Sequence, residues 1–135
     1  MKNIFATISI ILFIINFGYC QISIREIQYK FEEPKRAYLC ADTSSFYIIF
    51  EYNFDNDSVS VFTKDSTLFT GTLNLSSLYS KEINIGKTEE ISIKINDSPI
   101  LKLQTISGKN YIRINLRRKY GILEINYSKY PPIYK

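Results

Sequence analysis

Apolar and polar side chains alternate along much of the chain with a period of two residues. The alternation is strictest in the second half, over 91–95, 101–104 and 112–117. Successive side chains of a β-strand point to opposite faces of its sheet, so this period indicates strands with one buried and one solvated face. Turn-forming sequences separate these stretches, which recur about every ten residues, as in sandwiches and small barrels. The pattern therefore predicts an all-β fold.

The densest run of strand-forming residues lies at 46–54. The side chains of one parity are all large and apolar or aromatic: Phe46, Ile48, Phe50, Tyr52 and Phe54. A face of this kind has to be covered by a second layer of structure. We predict that 46–54 is the central strand. The Asx-rich sequence at 55–57 then predicts a turn that returns the chain as a hairpin strand over 58–62.

The complete pattern predicts an antiparallel β-sandwich, immunoglobulin-like or jelly-roll-like, of about eight to nine short strands. The first strand is expected from Ile22 to Phe31, with a bulge near Glu26 where the apolar parity slips. The tail over 129–135 contains Pro131-Pro132. Because proline cannot join the interior of a sheet, we expect the tail to run extended along the surface.

Residues 1–20 have the plan of a secretory signal peptide. A short cationic start at Lys2 precedes a nearly unbroken apolar run over 4–17. The run is shorter than the roughly 20 apolar residues that a membrane-spanning helix needs. We therefore expect an exported protein, periplasmic, outer-surface or secreted, whose mature chain has no transmembrane span.

The end of the predicted leader indicates where it is cleaved. Gly18 and Cys20 place small residues at the −3 and −1 positions of a cut before Gln21. Cleavage there would leave a single domain over 21–135. Lipid anchoring through Cys20 is the alternative, but lipoprotein signals carry a small residue just before the cysteine, and here that residue is Tyr19.

Composition and charge narrow the function classes. The chain has 17 Lys and Arg against 13 Asp and Glu, a net charge of +4. This mild excess is not gathered into a stripe with stacking aromatics, so we expect no nucleic-acid binding. Histidine is absent, which excludes Ser-His-Asp catalysis, Cys-His catalysis and histidine metal sites.

Cysteine and acidic residues offer little metal or cofactor chemistry. After processing, Cys40 would be the only thiol, which excludes an internal disulfide and a cysteine zinc cluster. An intermolecular disulfide through Cys40 and burial as a small apolar residue both stay open. Asp55-Asn56-Asp57 is more typical of a hairpin turn than of a Ca²⁺ loop. We expect neither a cofactor nor a metal.

The most basic part of the chain is its last predicted hairpin. The candidate ligand-binding residues are Arg113, Arg117, Arg118, Lys119 and Tyr120. Such a surface suits an acidic protein or an anionic glycan. The alternative is a solvated outer face whose charges discourage edge-to-edge association.

Glu51 is the carboxylate best placed for partial burial, because it projects from the predicted central strand. Paired with Glu124, it would suit acid and base roles in glycoside hydrolysis if the two carboxyl groups stood at a suitable separation. The alternative is a structural glutamate paired with a cross-strand cation.

Taken together, the sequence favours an exported, non-enzymatic β-sandwich. It would act as a binding module or an accessory structural protein of the cell envelope or extracellular space. A small hydrolase or lyase that depends on carboxylates is the alternative.

Overall fold

The computed structural model describes residues 24–32, 44–51, 53–75 and 80–132. The leader predicted over 1–20, with its cleavage site and Cys20, lies outside these ranges. Cys40 and the end of the tail, 133–135, lie outside them as well.

The described residues form nine strands and one short helix. The strands are β1 (Glu26–Glu32), β2 (Phe46–Phe50), β3 (Asp57–Phe62), β4 (Thr67–Leu73), β5 (Lys81–Gly86), β6 (Glu90–Ile95), β7 (Leu101–Gln104), β8 (Tyr111–Arg117) and β9 (Ile122–Ser128). A single 3-10 turn, Arg118–Tyr120, joins β8 to β9. Within the described ranges, then, no helix has the length and apolar character to cross a membrane.

The strands form two sheets that share one core. The first has five strands in the order β1-β9-β8-β2-β5, and the second has four in the order β4-β3-β6-β7. One parity of nearly every strand is buried between them, as the alternating sequence requires. The largest fully buried side chains are Phe50, Phe54, Ile48, Ile49, Ile91, Ile93, Leu103, Ile112, Ile114, Leu116, Leu123 and Ile125. The predicted all-β fold with two layers is confirmed.

The prediction of wholly antiparallel sheets is wrong at two places. β1 pairs with β9 in parallel, and β2 pairs with β8 in parallel. Parallel neighbours arise because the chain leaves each of these strands by a crossover instead of a hairpin. All pairs of the four-stranded sheet are antiparallel.

The predicted hairpin between 46–54 and 58–62 is also wrong. β2 ends at Phe50, and its neighbours are β5 and β8, whereas β3 pairs with β4 and β6 in the other sheet. The chain therefore changes sheets between Phe50 and Asp57, and on the way Phe54 is fully buried and packs edge-on against Phe50, with ring centroids 5.3 Å apart. The central strand of the five is β8, with β2 beside it.

The expected slip near the start of β1 is present. The N–H groups of Arg25 and Glu26 both donate to the carbonyl oxygen of Gly121, at 2.7 and 3.3 Å. Two adjacent donors that share one acceptor shift the parity of the strand by one residue, as in a bulge. From Ile27 onward, β1 runs in register with β9, with Ile27 opposite Leu123.

Candidate functional site

The outer face of the five-stranded sheet carries paired charges. The carboxylate of Glu51 accepts two hydrogen bonds from the Arg113 guanidinium, at 2.7 Å from Nε and 3.3 Å from Nη2. The Glu51 side chain is 5% exposed. A forked arginine partner gives a buried carboxylate charge-assisted hydrogen bonds of fixed geometry.

Glu124 has partners on both sides. Its Oε1 atom lies 3.4 Å from Arg117 Nη1 and 3.6 Å from Lys30 Nζ. Beside these charges, the buried Oδ1 of Asn126 has no hydrogen-bond partner, the one such side-chain atom among the described residues. The network explains how two glutamates can be buried on the face that looks away from the core.

A third pair joins the two sheets. Arg118 Nη1 donates to Asp57 Oδ2, and Asn96 Nδ2 donates to Asp57 Oδ1 at 2.9 Å. The backbone N–H of Asp55 also donates to this carboxylate. Asp57 is therefore occupied as a structural acceptor. No group of three or more acidic or cysteine residues that could hold a metal occurs in the described ranges.

The predicted ligand-binding residues differ in the contacts that they make. Arg113, Arg117 and Arg118 each pair with a buried carboxylate. Arg117 and Lys119 are more exposed and lie over the ring of Tyr120, at 5.1 and 5.7 Å from its centroid. The structure therefore brings Arg117, Lys119 and Tyr120 together at the turn. Ligand binding there stays a prediction.

A different surface stands out at the β1 edge. Ile27, Tyr29 and Phe31, hereafter the apolar row, share the parity that faces the core, yet they are 38%, 49% and 62% exposed. They are exposed because β1 extends the five-stranded sheet by one strand beyond the four-stranded sheet. Apolar groups collected on one strand in this way are typical of interaction sites.

An apolar cleft of about 310 Å³ opens beside the apolar row. It lies between β1 and the turn from β6 to β7. Among the side chains that line it are Ile24, Ile27, Ile95, Ile100 and Leu101. We call this side of the sandwich, from β1 across the cleft to β7, the open margin.

The opposite end of β1 is tied to the core through Tyr127. The ring of Phe31 stacks on that of Tyr127, with centroids 5.4 Å apart. The Tyr127 hydroxyl donates to the carbonyl oxygen of Gln104 at 2.9 Å and so links β9 to β7. Burial raises the pKa of Tyr127 above its ordinary value, and repulsion from Tyr29 adds to the rise.

The backbone of β1 offers unpaired groups at the open margin. The Glu26 N–H donates to Gly121 in the ladder with β9. Successive residues of a strand direct their N–H and C=O groups to opposite sides, so the backbone groups of Gln28 and Lys30 also face β9. The N–H and C=O groups of the apolar row therefore point away from β9. Within the described part of the chain, no strand pairs with them.

Sequence reasoning placed the apolar row in a strand but missed its exposure. One signal was present, since the opposite parity of β1 carries Glu26, Lys30 and Glu32, charges of both signs that are typical of an edge strand. The alternation of apolar and polar residues is the same whether or not the other sheet covers the strand, so it does not predict the exposure.

Comparison of the chain with protein-family models, curated proteins and solved structures finds no match. The functional inference therefore rests on the chemistry of these surfaces.

Proposed function

We propose that this protein is an exported, non-enzymatic binding module of the cell envelope or extracellular space that joins another polypeptide by adding a strand to β1. The observation that carries the proposal is the coincidence of the apolar row with the unpaired backbone groups of the same three residues. Backbone hydrogen bonds would provide affinity for such a partner. Contacts with the apolar row would select a partner strand with apolar side chains on the same face.

The carboxylates support a binding role over catalysis. An acid–base pair needs one carboxyl group whose proton can be exchanged with a substrate. Glu51, Glu124 and Asp57 instead each hold an arginine. For the fold we propose an immunoglobulin-like or jelly-roll-like arrangement, which two facing sheets joined by crossovers support.

The proposal can be tested by photo-crosslinking in the cells that make the protein. A benzophenone amino acid would replace Tyr29 in one variant, Tyr120 in a second and Leu68 in a third. Leu68 is the matched control, because it is an exposed apolar residue on β4, far from the open margin. The variant at Tyr120 tests the turn that carries Arg117 and Lys119.

We expect a polypeptide adduct from position 29 and none from position 68. An adduct from position 120 with none from position 29 would move the binding surface to Arg117, Lys119 and Tyr120. The absence of polypeptide adducts from position 29 would refute strand addition at β1.

A further inference from the structure

The apolar row and its backbone groups suit a partner strand of one particular sequence. An antiparallel neighbour places side chains of equal parity opposite each other. The partner strand should therefore be apolar at alternate positions and polar or charged at the positions between them. β1 is such a strand.

We propose that the polypeptide that joins β1 is a second copy of this chain, with the two β1 strands antiparallel about a twofold axis at Gln28. This inference rests on the proposed function and names its partner. In this register Ile27 lies opposite Tyr29 of the second copy, and the outward N–H and C=O groups of both residues face each other. Four backbone hydrogen bonds of the antiparallel pattern would form across the axis.

Charge favours this register over the two that follow it along β1. With the axis at Gln28, Glu26 of each copy lies opposite Lys30 of the other, which makes two pairs of opposite sign. An axis at Tyr29 would place Glu26 opposite Glu32, and an axis at Lys30 would place two lysines together. Both of these alternatives bring like charges directly across the strands, which is unfavourable.

The existing contacts of β1 leave room for this pairing. Lys30 Nζ touches Glu124 at 3.6 Å, but the Lys30 side chain is 46% exposed and its ammonium has three donors. The Gln28 side chain bonds only to Glu26, at 3.1 Å, on the exposed outer face. The five-stranded sheets of the two copies would become one continuous sheet, and the two apolar rows would pack side by side.

Disulfide trapping tests the axis directly. In the full-length chain with Cys20→Ser and Cys40→Ser, a Gln28→Cys variant places two cysteines opposite each other at a non-hydrogen-bonded pair. The Cα atoms of such a pair are about 4.5 Å apart, within the range of a disulfide. The matched control is Arg25→Cys, an exposed position outside both charge pairs, whose two copies would lie about 20 Å apart.

We expect Gln28→Cys to form a disulfide dimer under mild oxidation while Arg25→Cys stays monomeric. Glu26→Cys mixed with Lys30→Cys should also form the cross-linked dimer. Equal trapping of Gln28→Cys and Arg25→Cys, or trapping of neither, would overturn the proposed pairing.

Charge exchange tests the same register without cysteines. Glu26→Lys alone and Lys30→Glu alone each turn both charge pairs into like pairs, so each should weaken the dimer about tenfold in sedimentation velocity. An equimolar mixture restores both opposite pairs, because one chain then carries two lysines and the other two glutamates. The mixture should dimerise as well as the unmodified chain, and failure to do so would contradict the register.

These outcomes separate the inference from the proposed function. If position 29 cross-links to a different polypeptide and Gln28→Cys traps no dimer, strand addition at β1 stands and the second copy is excluded. If position 29 cross-links to no polypeptide, both fall.

Discussion

The two sides of the sandwich are built differently. On one side, β5 ends the five-stranded sheet and β4 ends the four-stranded sheet, and these two strands contact each other. The Lys81 ammonium lies 5.3 Å from the centre of the Phe69 ring across this junction. We call this side the closed margin. On the open margin, β1 faces the turn from β6 to β7 across the apolar cleft.

The difference shows that strand number decides exposure here. Phe69 on β4 and Phe31 on β1 both lie on the core-facing parity of an edge strand. Phe69 packs against the core, whereas Phe31 is 62% exposed. The four predictions below test this contrast, from the largest expected effect to the smallest.

Removal of a core phenylalanine should be far more costly than removal of the exposed one. Phe50→Ala should lower the free energy of unfolding by about 3–5 kcal/mol, because it leaves a cavity against Phe54. Phe31→Ala should lower it by less than about 1 kcal/mol in the monomer. Urea unfolding of both variants measures the difference. Similar losses for the two would show that β1 is covered.

Loss of the arginine that joins the sheets should be the second largest effect. Arg118→Ala removes the cation that faces the buried Asp57 carboxylate. We expect a loss of about 2–3 kcal/mol, less than for a fully unpaired charge because Asn96 still donates to Asp57. Lys119→Ala, one residue further on and exposed, is the control and should change stability by less than about 0.5 kcal/mol.

The contribution of Tyr127 to stability should be sensitive to alkaline pH. Because the pKa of Tyr127 is raised in the folded protein, its contribution to stability is complete below the unfolded pKa of about 10. It is lost as the pH rises through the folded pKa.

Tyr127→Phe should remove this pH dependence and the hydrogen bond to Gln104, at a cost of about 1 kcal/mol at pH 7. Thermal unfolding of both proteins between pH 7 and 11 would test the expectation. If Tyr127→Phe loses stability above pH 10 as steeply as the parent does, groups other than Tyr127 cause that loss.

The smallest effect should come from the closed margin. Lys81→Ala removes a cation from the face of the Phe69 ring, which is worth about 0.5 kcal/mol at an exposed site. Lys102→Ala, an exposed lysine on β7, is the comparison and should have no measurable effect on chemical denaturation. A loss above about 1 kcal/mol for Lys81→Ala would mean that this contact does more than cover the edge of the core.

The strands could be predicted from sequence because their information is local. Ile91, Ile93 and Ile95 alternate with polar residues, and all three are buried on β6. The pairing of strands could not be predicted in this way. Phe54 continues the apolar parity of β2, but its burial reflects a crossing between sheets, which depends on contacts far along the chain.

The candidate site was predictable only in part, for a related reason. The burial of Glu51 follows from its position beside β2, and its arginine comes from a strand that the sequence does not identify as a neighbour. The guanidinium of Arg118, a predicted ligand-binding residue, donates to the buried Asp57 carboxylate, a contact that the sequence does not indicate. The exposure of the apolar row depends on the number of strands in each sheet, and the two-residue period of the sequence does not give that number.

The parallel pairing of β1 with β9 has a consequence for how the molecule assembles. Glu26 pairs with Ile122, so nearly the whole described length of the chain lies between the two partners. Closing so long a loop carries a large entropic cost before any contact offsets it, and topologies dominated by such distant pairings fold slowly. Strand β1 therefore cannot dock until the final strand exists, and until that moment its aromatic side chains stay exposed to solvent.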